Sequence, residues 1–177
     1  MKSIIVMGSM EFFRNLVASL REEHCLSIVS KSTLKLKSGE DNIYLIYGLD
    51  FGSIACEKAV LLFDETFKSY SGKLKINKSV GGVLGKNTNA VAFLKNAKIP
   101  VVTIGVSPKS TITYSGFQTD SLAVALQRTV VTIEGSEIDP FEYPMPIPFN
   151  EDVYQVLAKF FIKLEYNMLD FSDNTAP

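Results

Sequence analysis

Three short stretches carry the glycines, hydroxyls and cations from which α/β proteins build anion sites. The first is Gly8-Ser9, a turn that follows the apolar run Ser3 to Met7. Phosphate is ordinarily held at such a place, on the N-terminus of the next helix. A phosphate cradle also needs converging backbone N–H groups, a lysine and a hydroxyl for magnesium. Here Gly8-Ser9-Met10-Glu11-Phe12-Phe13 offers one glycine and a carboxylate, with phenylalanine where the reactive groups would stand. The stretch is expected to be a compact strand-to-helix turn with Phe12 and Phe13 in the core. The second is Gly81-Gly82-Val83-Leu84-Gly85-Lys86-Asn87-Thr88, one residue shorter than a P-loop and with Asn87 in place of the magnesium-binding hydroxyl. It is expected to end a strand and cap the next helix through Asn87 or Thr88. The third runs from Gly105 through Val106, Ser107, Pro108, Lys109 and Ser110 to Thr111. It places a glycine, hydroxyls and a cation beyond a parallel strand, where ligands tend to bind. Gly105, Ser107, Lys109, Ser110 and Thr111 are therefore the candidate ligand-binding residues, against the alternative of an ordinary Ser-Pro turn with Lys109 in solvent.

The acid, base and thiol inventory is sparse. The chain has one histidine and two cysteines, too few for most catalytic dyads or for zinc sites drawing on several His and Cys. His24 sits among charges near a helix end and suits a solvated or capping position. Cys25 and Cys56 have no CxxC partner and are read as reduced, buried small hydrophobes. Asp41, Asp50, Asp64, Glu65, Asp120, Glu134 and Asp139 fall in loops without a spacing that predicts a shared acid/base pair. No catalytic residue, metal ligand or cofactor is assigned.

The elements that must position these residues follow from hydropathy patterning. Ser3–Met7 reads as a buried strand, and Phe12, Phe13, Leu16, Val17 and Leu20 recur at helical spacing. Further strands are expected at 26–29, 43–47, 59–63, 80–84 and 100–105, with a helix over 88–97. The segment from Lys31 to Lys37 reads as a lysine-rich edge strand or extended loop. Alternation of strand and helix implies a mostly parallel sheet flanked by helices. After Gly105 the chain turns β-branched and loses helical period, predicting an antiparallel extension with a hairpin turn at Gly135-Ser136. Pro144, Pro146 and Pro148 predict an extended connector. Asn150 is then placed to cap a final amphipathic helix reaching to about Leu169, with Val153, Val156, Leu157, Phe160, Phe161, Leu164 and Met168 as its apolar stripe.

The whole is expected to be one α/β domain over 1–171 with a disordered tail over 172–177. Its 177 residues are 46% hydrophobic and 21% charged, and the net charge of −1 argues against a dedicated nucleic-acid binder. No run approaches the ~20 apolar residues of a membrane span, so a cytoplasmic protein without membrane or nucleic-acid partners is expected. A homo-oligomer is compatible with the sequence.

Three stretches resemble the central ATP-binding domain of the Mur ligases and their folylpolyglutamate synthase relatives. Ile4-Ile5-Val6-Met7-Gly8-Ser9 resembles the strand and Gly-Thr that open the family's P-loop. Residues 83–94 and 99–105 are similar to its Asn-x-Asp-Asp helix and the strand ending in Phe-Gly. Met145-Pro146-Ile147-Pro148-Phe149-Asn150 resembles its Gly-x-Phe-Asn-x-x-Asn segment. Glu11, Phe12 and Phe13 occupy the P-loop Gly, Lys and Ser/Thr. Asn87 and Thr88 stand near the paired aspartates, and the last asparagine falls beside Val153. The resemblance implies an inherited fold without ATP-dependent ligation: a non-catalytic module binding a partner protein or a small ligand. The alternative is a nucleotide- or small-molecule-binding enzyme or regulator using the loop at 105–111.

Overall fold

The computed structural model describes residues 1–39, 42–148 and 151–170. Strand β1 (Lys2–Met7) is buried on both faces, as expected of a central parallel strand. It leads through Gly8-Ser9 into helix α1 (Met10–Arg21), and β2 (Leu26–Ser30), β3 (Thr33–Lys35) and β4 (Ile43–Tyr47) follow. A short 3-10 helix (Gly48–Asp50) precedes the long strands β5 (Ser53–Phe63) and β6 (Lys73–Leu84). Then come α2 (Thr88–Asn96), β7 (Val101–Ile104), β8 (Ile112–Phe117), β9 (Ser121–Leu126), β10 (Val130–Val131), β11 (Glu137–Ile138), β12 (Phe141–Pro146) and α3 (Val153–Glu165).

Ten of the strands form one sheet in the order β12-β9-β8-β7-β6-β5-β1-β4-β2-β3. The run from β2 to β8 is parallel. Strands β3, β9 and β12 pair antiparallel at the two ends. The architecture is thus α/β with a large, mostly parallel mixed sheet, antiparallel strands in the later half and a C-terminal helix. Among the described residues, no helix is long and apolar enough to cross a membrane.

Several boundaries differ from the sequence expectation. β5 and β6 extend toward their N-termini by six and seven residues beyond the apolar runs, over 53–58 and 73–79. Those extensions alternate polar and apolar residues, and their pairing along a register of Ser53↔Lys73 to Phe63↔Val83 makes them strand. No helix joins them. The return from β5 to β6 runs from Phe63 back to Lys73 and must retrace the parallel register from Phe63 to Ser53, about 33 Å at ~3.3 Å per residue, which leaves no slack for a helix at ~1.5 Å per residue. Phe67 anchors this crossover, 2% exposed and edge-on to Phe63 at 4.8 Å between ring centroids. The Tyr70 hydroxyl donates to Phe51 O at 2.7 Å.

The proline-rich stretch is not a connector but the edge strand β12. Pro144 and Pro146 are two apart, so their missing donors face one side, and Ile147 N–H on the other parity donates to Asp120 O at 3.0 Å. Proline is tolerated on such an edge. The turn at Gly135 (φ +92°) closes β10 onto β11, but this pair is a separate two-stranded sheet. Its turn runs from Thr132 to Ser136, not over two residues. Asp152 caps α3, and Gln155 completes a capping box. The cap expected at Asn150 lies outside the described residues, as does the tail over 172–177. α3 ends at Glu165 rather than near Leu169.

Two apolar layers sandwich the sheet. α1 and α3 cover one face with Ile4, Val6, Val60, Leu62, Phe160 and Phe161. α2 and the 64–72 crossover cover the other with Ile5, Met7, Leu61, Phe63 and Leu94. The glycine pair in β6 permits both approaches. A Cβ on Gly81 would stand 2.4 Å from Leu94 of α2, and one on Gly82 would stand 2.4 Å from Phe161 of α3.

α3 is buried almost all round, including three polar residues: Gln155, Lys159 and Glu165. Lys159, 1% exposed, donates to Glu151 Oε1 at 3.0 Å and lies 3.6 Å from Glu23 Oε1. The Lys163 and Lys159 ammonium groups hold the Glu23 carboxyl below its ordinary range, against the opposing effect of burial. Glu165 is fully buried, and its Oε2 accepts from Ile133 N at 2.7 Å. Burial pushes this carboxyl up to about 7, the Ile133 hydrogen bond opposing. Next to it, Tyr166 donates to Ser3 O at 2.6 Å and accepts from Ser3 N at 3.0 Å, tying the end of α3 to β1. Burial raises this phenol far above its usual value.

Candidate functional site at the carboxyl ends of the parallel strands

Parallel strands β1, β5, β6 and β7 end at one rim, so the turns after them converge there. After β1, Ser9 caps α1, its Oγ accepting from Phe12 N at 3.1 Å. The carboxylate hydrogen-bonded at this helix end is that of Asp64, from the end of β5, while Glu11 stands exposed in the first turn. Asp64 Oδ2 accepts from Ser9 N at 2.8 Å and Ser9 Oγ at 2.7 Å, while Oδ1 accepts from Thr66 N at 2.8 Å and Thr66 Oγ1 at 2.5 Å. A Cβ on Gly8 would fall 2.4 Å from Asp64 Oδ1. The position where an anion would meet the positive end of α1 is thus filled by the chain's own carboxylate. Phe13 is buried as expected, at 4% exposure, whereas Phe12 is only half-buried.

After β6, Asn87 caps α2, accepting from Ala90 N at 2.9 Å. Its amide donates to Asp64 O and Phe67 O at 2.8 and 3.0 Å, so Asn87 also pins the 64–72 crossover. Of the two caps weighed from sequence, this residue serves and Thr88 does not. Gly85 takes the left-handed conformation (φ +65°). This backbone conformation favours glycine, and the nearest atoms to a Cβ there belong to the flexible, exposed Glu65 side chain.

After β7, Gly105 N donates to Ile112 O at 3.0 Å and Ser110 N to Ser107 O at 2.9 Å, folding the loop into a turn. Thr111 is engaged elsewhere, its N–H bonded to Thr103 Oγ1 at 2.9 Å and its hydroxyl 3.2 Å from the same atom. The Arg128 guanidinium donates to Lys109 O at 3.1 Å.

These turns enclose a cleft of about 400 Å³ lined by Gly105, Ser107, Lys109 and Ser110 together with Glu65, Gly85, Lys86, Val106, Thr103 and Tyr154. It lies within the usual volume range for small-molecule sites. Four of the five residues predicted from sequence therefore share one cleft, and Thr111 is outside its lining. Glu65, Lys86, Thr103 and Tyr154 join them. Burial and the nearby Glu65 and Asp152 charges raise the Tyr154 phenol. Nothing in local spacing pairs Glu65 with Tyr154, since one follows β5 and the other opens α3. Two further hollows border the cleft: about 190 Å³ beside Phe12 and Thr66, and about 460 Å³ beside α2 and Lys95.

The remaining candidates do not join the cleft. His24 is half-buried at the end of α1, its backbone N–H donating to Leu20 O at 2.9 Å. Cys25 and Cys56 are free and half-buried rather than fully buried, and burial raises the Cys56 thiol. Asp41 lies outside the described residues. Among the described residues no group of His, Cys, Asp and Glu is arranged to hold a metal ion. The fold and cleft together define a mixed α/β protein with a hollow at its parallel-strand ends that charged and hydroxyl side chains help to line. Neither models of known protein families nor curated proteins match the chain.

Proposed function

We propose that this chain is a Mur-ligase-like α/β module that does not perform ATP-dependent ligation and binds a small polar ligand in the strand-end cleft. The observation that carries the reading is the convergence of Lys86, Lys109, Glu65, Tyr154, Ser107 and Ser110 on one hollow of about 400 Å³. Two cations and one carboxylate around a single hollow suit a ligand with an anionic group and a separate hydrogen-bond donor. Absence of ligation is supported at the first turn. There Glu11, Phe12 and Phe13 replace the family's Gly, Lys and Ser/Thr, and Asp64 fills the anion position on α1.

A thermal-shift screen of nucleotides, muramyl precursors and small carboxylates and phosphates at sub-millimolar concentration tests the reading. A ligand at a hundred times its Kd stabilises the native state by about 2.7 kcal/mol. At least one compound is expected to raise the melting temperature of the wild type and to lose that effect in K86E/K109E. If no compound shifts the wild type, or the shift persists in the double variant, the cleft is not a ligand site. Turnover of a nucleotide that shifts it would replace the binding module with an enzyme.

A further inference from the structure

We propose that the open edge of β6, at the opposite end of the sheet from the cleft, docks an extended acidic segment of a partner protein, which adds to the sheet as a strand. β6 pairs with β5 from Lys73 to Val83, but with β7 only from Gly81 onward. From Lys73 to Val80 the strand therefore has a neighbouring strand on one side only, among the described residues. Such an edge templates strand addition, with backbone hydrogen bonds supplying affinity and side-chain pockets supplying choice.

A groove of about 750 Å³ runs along this edge, lined by the apolar Leu74, Ile76, Val80 and Ile99 and by the β10–β11 hairpin. Val131 of that hairpin is 63% exposed. The only charged residues in the lining are Lys78 and Lys98. Both are exposed and neither has an ion-pair partner among the described residues. Lys73 and Lys75, exposed in the same strand, alternate with the lining residues Leu74 and Ile76 and lie outside the groove. Of the hairpin's carboxylates, Glu134 is occupied by Lys58 at 2.6 Å, and Glu137, opposite Val131 in the hairpin register, lies outside the groove lining. Lys98 also adopts φ +57° just past the end of α2, a position where glycine or asparagine is the usual choice.

Charge decides the occupant. A second copy of this chain would bring an equally lysine-rich edge against the first, and like charges at such an interface are costly. A segment alternating Asp or Glu with apolar residues satisfies the backbone edge, the apolar lining and the lysines together.

The test uses a displayed library of random ten-residue peptides selected on the full chain, with K78E/K98E as the counter-target. Enriched peptides are then measured by fluorescence anisotropy and amide hydrogen exchange. Both lysines are exposed, so the double variant is expected to melt like the wild type; V131E, which puts a carboxylate on the exposed hairpin, is the second variant and should also weaken binding. The expected result is enrichment of alternating acidic and apolar peptides that bind the wild type at least about tenfold more tightly than K78E/K98E, weaken with salt and slow exchange of amides within 73–80. Failure to enrich, equal binding to both chains, or binding without protection of 73–80 overturns the proposal. So does a wild-type dimer in light scattering that K78E/K98E abolishes, which would make the occupant a second copy.

Discussion

Replacing Glu165 by glutamine is expected to remove a pH dependence built into the core. The carboxyl is fully buried at the end of α3, its Oε2 held by Ile133 N–H and its Oε1 without a hydrogen bond. Burial carries it from an ordinary 4.5 to about 7 in the folded chain. Between those values the folded protein keeps a proton that the unfolded chain has lost, so stability falls as pH rises from 4.5 to about 7 and then levels. At 1.36 kcal/mol per pH unit the full loss is about 3 kcal/mol. Glutamine can still accept from Ile133 N–H, and its amide occupies the place of the protonated acid without titrating. Urea unfolding at pH 5, 6, 7 and 8 should show near-equal stabilities at the acid end and E165Q ahead by about 3 kcal/mol at pH 8. Other titrating groups cancel in the difference. If E165Q and the wild type differ by a constant amount across the range, the buried carboxyl is not protonated in the folded state and the reasoning fails.

Removing the ammonium with K159M leaves Glu151, only 6% exposed, without its partner, and a loss of about 3–5 kcal/mol is expected; K159M/E151Q should recover much of it in the same denaturation assay. F13A should destabilise by about 3–5 kcal/mol, and half-buried Phe12 should tolerate F12K with a clearly smaller loss, because a lysine stem can lie along the surface with its head in water; equal melting shifts for the two would contradict the packing described. Replacing Asp64 by alanine orphans Ser9 N–H and the Thr66 donors, so a fall in melting temperature equivalent to several kcal/mol is expected; an unchanged melt would mean the clasp contributes nothing. Deleting α3 and all that follows should abolish cooperative unfolding by circular dichroism, since Val156, Leu157, Phe160, Phe161, Ile162 and Leu164 of that helix are buried; a truncated chain that still melts cooperatively would show the helix to be an accessory.

Continuous apolar runs and 3.6-residue periodicity placed β1, β4, the core half of β5, α1, α2 and β7 within a residue or two. In each, burial of the local stretch outweighs every other influence on its conformation, and periodicity reports burial directly. The loop at 105–111 was legible for a related reason: a parallel strand ending in glycine and hydroxyls marks a sheet rim wherever it lies in the fold.

Tertiary structure decided the rest, because the deciding partner is remote in sequence. Residues 53–58 and 73–79 are polar and alternating, and they became strand only by pairing with each other across twenty positions. Pro144 and Pro146 read as a connector until β9 pairs with their strand on the side away from the missing donors. Asp64 is an ordinary loop aspartate until Ser9, 55 residues away, supplies its donors. Glu165 is one more charge on an amphipathic helix until the hairpin at Ile133 closes over it and excludes water. Hydropathy along the chain sets which surfaces leave water, and only the three-dimensional neighbours set what each polar group meets once it has left.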